Sequence, residues 1–170
     1  MKRYGVVLIG CGHIGSEHIA DIYYRDNVRI KAVVDTDIER AQEFKNKYGA
    51  EYADTDYLKY LKMQDTVIVI IASPASTHLS ILEDCVEHNK HVLCEKPITT
   101  NCEDGERFYN LCKNAKSKVL VGHILRYNQT FIKVKELIDS GVIGNLRLVR
   151  MVQNHNTINA ERDHSLMLEC

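Results

Sequence analysis

Apolar blocks alternate with amphipathic stretches through most of this chain. Residues 4–9, "YGVVLI", are β-branched and apolar and predict a buried strand. Residues 13–24 follow with helical spacing that sets Ile14, His18 and Ile22 on one side. A second strand is expected over 28–34, "VRIKAVV", closing on Asp35. Residues 36–49 predict a helix: Thr36 or Asp37 can cap it, Ala41, Phe44 and Tyr48 share a face, and Gly49 marks its end. A short strand near 51–53 and a short helix carrying Leu58 and Leu61, with Asp54 as its cap, come next. The unbroken run 66–71, "TVIVII", is that of a strand covered on both faces. Then follow a helix at 77–88 started by Ser76 or Thr77, a strand at 91–94, a helix at 101–115 and a strand at 118–122. A helix at 128–140 places Phe131, Val134, Leu137 and Ile138 on one face. The alternating stretch 145–153 reads as a half-buried strand.

Strand and helix alternate as far as Gly122, which predicts an α/β fold: a doubly wound parallel sheet with helices on both faces. Pro74 and Pro97 each directly follow a predicted strand, at the carboxyl edge where ligands sit in such sheets. Composition changes this picture little. The 170 residues are 45% hydrophobic and 26% charged, an ordinary globular mixture, and suffice for one full core with part of a second. A net charge of −1 gives no global field to attract nucleic acid or an anionic membrane. No apolar run has the length of a transmembrane helix, and a cytoplasmic location is expected. Cys11, Cys85, Cys94, Cys102, Cys112 and Cys170 match no zinc spacing, so free thiols and no metal site are expected.

The candidate chemistry begins at "VVLIGCGHIGSEH", where Gly10, Gly12 and Gly15 have the spacing G-x-G-x-x-G between a strand and a helix. Asp35 closes the next strand twenty residues after Gly15. Gly10 allows the tight turn, Gly12 lets a pyrophosphate approach the backbone, and Gly15 lets the helix pack close to the strand. The helix start at His13 and Ile14 offers unpaired N–H groups to phosphate. Asp35 can accept hydrogen bonds from the adenosine ribose hydroxyls and would repel a 2′-phosphate, which favours NAD over NADP. A glycine turn with a capping aspartate is the structural alternative.

Further motifs follow in order: "SPASTH" with Pro74 and His78, then "EKP" at Glu95, Lys96 and Pro97, then "GHILRYNQTFIKVKELIDSGVIGNLRLVR" over 122–150. Together with the glycine fingerprint and Asp35, this set resembles the Gfo/Idh/MocA family of nicotinamide-dependent oxidoreductases over residues 3 to 152. The resemblance implies that Ala72, Ser73 and Pro74 pass beside the pyrophosphate and nicotinamide ribose. It implies that His78 begins a helix near the cofactor, with capping or packing as its other role. Glu95 would hydrogen-bond the nicotinamide ribose. Lys96 would be the catalytic residue, reaching the oxygen on the reacting carbon to stabilise alkoxide character and help move a proton, in a setting where burial and nearby charge tune it. A cis bond before Pro97 would aim Lys96 inward. Arg126, beside Tyr127, would contact cofactor or substrate, or pair with a carboxylate.

The family's longer members carry a second, α+β domain with the substrate pocket, the usual oligomer interface, and a catalytic Asp and His one helical turn apart on one face. Asp163 and His164 are adjacent and point apart, so neither role is carried over. Residues 1–122 are expected to form a dinucleotide-binding Rossmann domain, and 123–170 the first helix and strand of an incomplete second domain, with "NAERDHSLMLEC" a short helix or a tail. The expected function is NAD-dependent hydride transfer to or from a secondary alcohol of a sugar, cyclitol or similar polyol. The expected partners are a homo-oligomer or a chain supplying the missing domain. A non-catalytic NAD-binding module or half-enzyme is the second reading, and a Rossmann domain for a different nucleotide the third.

Overall fold

The structure is a computed structural model that describes residues 3–152. Strands β1 (Tyr4–Ile9), β2 (Val28–Val34), β3 (Tyr52–Asp54), β4 (Thr66–Ile71), β5 (His91–Cys94) and β6 (Val119–Val121) form one sheet in the order β3-β2-β1-β4-β5-β6. All five pairings are parallel. Helices α1 (His13–Ile22), α2 (Ile38–Tyr48), α3 (Leu58–Leu61), α4 (His78–Glu87) and α5 (Cys102–Asn114) make the crossovers. This is the doubly wound Rossmann order, and its direction reverses between β1 and β4.

Side-chain alternation along β1 shows why both sheet faces are covered. Val7 and Ile9 join Val34, Val69 and Ile71 in a core closed by Leu79, Leu82 and Cys85 of α4 and Phe108 of α5. Val6 and Leu8 point the other way, with Val33 and Ile70, onto Ile19 of α1 and Ala41 and Tyr48 of α2. Asp37 caps α2 by accepting from the backbone N–H groups of Glu39 and Arg40, and Gly49 ends it in the left-handed region at φ 68°.

Several local expectations are corrected. The buried side of α1 is Gly15 and Ile19, while Ile14 is 42% exposed, because Gly15 must face the glycine turn. Asp54 does not cap α3. Its carboxylate turns the preceding chain, accepting from the N–H groups of Thr55 and Asp56, and Asp56 accepts from Leu58 N–H at 2.9 Å instead. Neither Ser76 nor Thr77 caps α4 through its side chain; a 3-10 turn at Ala75–Thr77 leads into it. Residues 145–152 form no strand, and residue 153 lies outside the described residues. Among the described residues their alternation has no neighbouring strand to supply ladder hydrogen bonds, and Leu148 is 84% exposed.

The chain divides into two compact units, residues 1–122 and 123–170. The described part of the second holds a 3-10 turn, Ile124–Tyr127, and helix α6 (Gln129–Asp139), capped by Asn128 accepting from Thr130 N–H. Phe131 and Ile138 are half-buried on α6, whereas Val134 and Leu137 are exposed. The adjacent Asp163 and His164, the terminal stretch and Cys170 lie outside the described residues.

Candidate functional site

Four loops leave the carboxyl ends of β1, β2, β4 and β5 side by side, and they carry most of the expected residues. Gly10 has φ +99°, and a Cβ there would lie 2.6 Å from the backbone of Ala72 and Ser73. Only glycine lets the loops after β1 and β4 approach so closely. A Cβ on Gly15 would lie 2.1 Å from the Gly10 carbonyl oxygen, so its absence lets α1 rest on the turn. Gly12 differs, since a Cβ there would meet no protein atom within 4 Å. Protein packing does not demand a glycine at this position.

Gly12 is also the N-cap of α1, with no side-chain cap and no acidic residue in the first turn. Five described helices have ten or more residues. Three of them, α2, α5 and α6, have side-chain caps. The other two, α1 and α4, have none. A 3-10 turn leads into α4, where His78 N–H bonds the Ala75 carbonyl, whereas the first-turn N–H groups and dipole end of α1 are left for something outside the helix.

Asp35 is 9% exposed and links two loops. Its Oδ2 accepts from Cys11 N–H at 2.8 Å, and its Oδ1 accepts from Asp37 N–H at 3.0 Å and lies 3.3 Å from Arg40 Nη1. Neither the Cys11 bond nor the Arg40 ion pair was anticipated. The Cys11 thiol is buried beside this carboxylate; burial first, and the negative Asp35 second, push it up to about 12, which keeps it protonated and inert. Cys85 and Cys94 are likewise raised by burial to about 12. The five described cysteines are free thiols.

After β4, Ala72 N–H bonds the Ile9 carbonyl at 2.8 Å, and the Ser73 and Thr77 hydroxyls pair at 2.8 Å above Pro74. His78 is 1% exposed. Its ring nitrogens lie 2.9 Å from the Pro97 carbonyl and 2.8 Å from the Ser73 carbonyl. The ring is a tie between the loops after β4 and β5.

Glu95 and Lys96 follow β5, and the Lys96–Pro97 peptide is cis. Glu95 is 9% exposed. Its Oε1 lies 2.8 Å from His18 Nε2, and its Oε2 accepts from Lys96 N–H at 3.2 Å. Burial acts to raise this carboxyl, but the hydrogen bonds from His18 and Lys96 outweigh it and hold the group below its ordinary value. A Cβ on Gly122 would stand 2.4 Å from Glu95 Oε1, so that glycine makes room for the carboxylate. Lys96 itself is exposed, which corrects the buried setting expected of it: β5 ends at Cys94, and the chain emerges at the sheet edge. Among the described residues no cluster could hold a metal ion. Arg126 belongs to the second unit, where it lines a cleft of about 590 Å³ with Leu125, Phe131 and Ile132.

His18 and Gly122 were not singled out from the sequence. The only signal for His18 is a lone imidazole sharing one side of a helix with Ile14 and Ile22.

A doubly wound sheet with this glycine turn at its switch point defines an NAD(P)-binding Rossmann domain. Residues 4–123 match the family described as "Oxidoreductase family, NAD-binding Rossmann fold", and the chain belongs to that Gfo/Idh/MocA family. Among curated relatives, the myo-inositol 2-dehydrogenase of Thermotoga maritima is 32% identical over 149 residues, which are 88% of this chain and 44% of that protein. The solved scyllo-inositol dehydrogenase of Lactobacillus casei, with bound NAD(H) and scyllo-inositol, superposes with a TM-score of 0.76 at 26% identity, covering 85% of this chain and 43% of that one. The 3-ketoreductase KijD10 of Actinomadura kijaniata, solved with NADP, shares the fold at a TM-score of 0.71 and 24% identity, over 84% of this chain and 46% of that one. The chain therefore spans less than half the length of the relatives it matches. No helix of the described residues is long and apolar enough to cross a membrane.

Proposed function

We propose that this chain is the cofactor-binding portion of an NAD-dependent dehydrogenase that transfers hydride to or from a secondary alcohol of a cyclitol, sugar or related polyol. The observation that carries the reading is the open space at Gly12 over the uncapped start of α1. Space that no protein atom fills, beside unpaired N–H groups and a positive dipole end, fits a pyrophosphate. His13 and Ile14 supply the first N–H groups of that helix, and Ala72, Ser73 and Pro74 form the opposite wall. The inositol dehydrogenases among the relatives support the polyol class.

In this reading Asp35 accepts from the adenosine ribose hydroxyls with the lone pairs its backbone bonds leave, and its charge disfavours a 2′-phosphate. Glu95 accepts from the nicotinamide ribose. The nicotinamide, when bound, supplies or takes the hydride at its C4. Lys96 stabilises negative charge on the substrate oxygen and holds or passes the proton at its Nζ. Arg126 is assigned to the cofactor or substrate on the family resemblance. Residues 1–122 are the dinucleotide domain and 123–170 the start of a substrate domain, completed by further sequence, a partner chain or a second copy, in the cytoplasm.

Fluorescence titration with NADH and NADPH tests the reading. NADH should bind at least about tenfold more tightly, and Asp35→Ser should close most of that gap. Equal affinity for the two overturns the NAD assignment, and failure to bind either overturns the dinucleotide reading. Lys96→Ala should spare NADH binding and remove polyol turnover by an active assembly.

A further inference from the structure

We propose that His18 is a positioning residue that sets how Glu95 meets the nicotinamide ribose, so that helix α1 serves both halves of the dinucleotide. This rests on the cofactor reading above. Glu95 is held as a carboxylate and can only accept, so the 2.8 Å contact requires the proton on His18 Nε2. The two side chains are 22% and 12% exposed, which makes the bond a largely desolvated, charge-assisted one.

The carboxylate is fixed from three directions. His18 holds Oε1, the backbone N–H of Lys96 holds Oε2, and Gly122 leaves only the space the carboxylate fills. Each oxygen keeps a lone pair for a further donor. His18 is two residues from the C-terminal side of Ser16, whose N–H bonds the Gly12 carbonyl. The helix that presents its N terminus at Gly12 therefore also anchors, between one and two turns on, the segment that ends in Lys96. The residues are 77 positions apart in sequence.

The proposal separates the two halves of the ligand. ADP lacks the nicotinamide and its ribose, and its affinity reports the glycine turn and Asp35. NADH affinity adds the Glu95 side. In titrations of the full chain, His18→Ala should weaken NADH by about tenfold while changing ADP by less than about twofold. His18→Gln places an amide donor near the Nε2 position and should recover most of the loss. Gly122→Ala pushes on the carboxylate from the other side and should reproduce it. In an Glu95→Ala background, His18→Ala should cost nothing further.

Retained ADP binding shows that each variant is folded. Equal losses of NADH and ADP in His18→Ala, or losses from His18→Ala and Glu95→Ala that add in full, overturn the role of His18 and leave the cofactor reading standing. A wild-type chain that binds neither ligand overturns that reading and this proposal together.

Discussion

The two ends of the parallel sheet use their polar groups differently. At the amino end, Lys31 Nζ sits 2.9 Å from Glu51 Oε2 and 3.0 Å from Asp65 Oδ2, and Arg29 pairs with the same two carboxylates. Lys90 Nζ donates to the Met63 and Thr66 carbonyls, each at 2.8 Å, and its burial lowers its affinity for a proton. These groups largely answer one another, although the buried Thr66 hydroxyl has no hydrogen-bond partner. At the carboxyl end, α1 and α4 start without side-chain caps and Gly12 borders open space. Packing accounts for most of the amino end. At the carboxyl end it leaves an open helix start bordered by empty space, and that is where a ligand belongs.

The glycine turn offers the largest test of this contrast. Gly10→Ala forces a Cβ into backbone at a positive φ and should cost about 3 kcal/mol or more of stability, read by urea unfolding. Gly12→Ala should leave the urea midpoint nearly unchanged, yet weaken NADH by about tenfold or more. A Gly12 variant that unfolds like the Gly10 one would erase the distinction.

Lys31→Met probes the other end. It should lower stability by about 1 kcal/mol, since its partners are partly exposed and solvent screens them, and it should not alter NADH affinity. A change in affinity would mean that the two ends are coupled.

A further effect lies in the acid limb of stability. Asp54 is held down to about 2, first by its hydrogen bond from Lys59, against burial, and then by Tyr60 and backbone N–H groups. A depressed carboxyl stabilises the fold fully above its unfolded value, and that contribution is lost as pH falls from about 4 through about 2. Asp54→Asn should flatten that part of the stability profile while leaving neutral-pH NADH binding intact. Asp54 lies at the carboxyl end of β3, outermost in the sheet, so this variant also asks how far the functional edge extends.

Much of the fold was legible because its signals are local. The apolar runs of β1 and β4 and the capped, glycine-ended α2 each declare themselves within a few residues. Gly10, Gly15 and Asp35 were legible because their spacing is itself the motif. The stretch 145–152 misled because alternation records which side chains want burial, while a strand also needs a neighbour. The face of α1 misled because hydrophobicity favoured Ile14, whereas close packing on Gly10 selects the bare surface of Gly15. Arg40 beside Asp35 could be suspected from helix periodicity. The meeting of His18, Glu95 and Gly122 could not, since no local pattern joins residues that the sheet order alone brings together.

The carboxylate of Asp35 bolts the glycine turn through Cys11 N–H while standing where an adenosine ribose would be read. On the proposed reading, one side chain thus does a carpenter's work and a gatekeeper's. A lineage, or an engineer, that removed the acid to admit a phosphorylated cofactor would also unpin the turn that grips every dinucleotide. Changing taste in cofactor would first require a replacement acceptor for that one backbone proton.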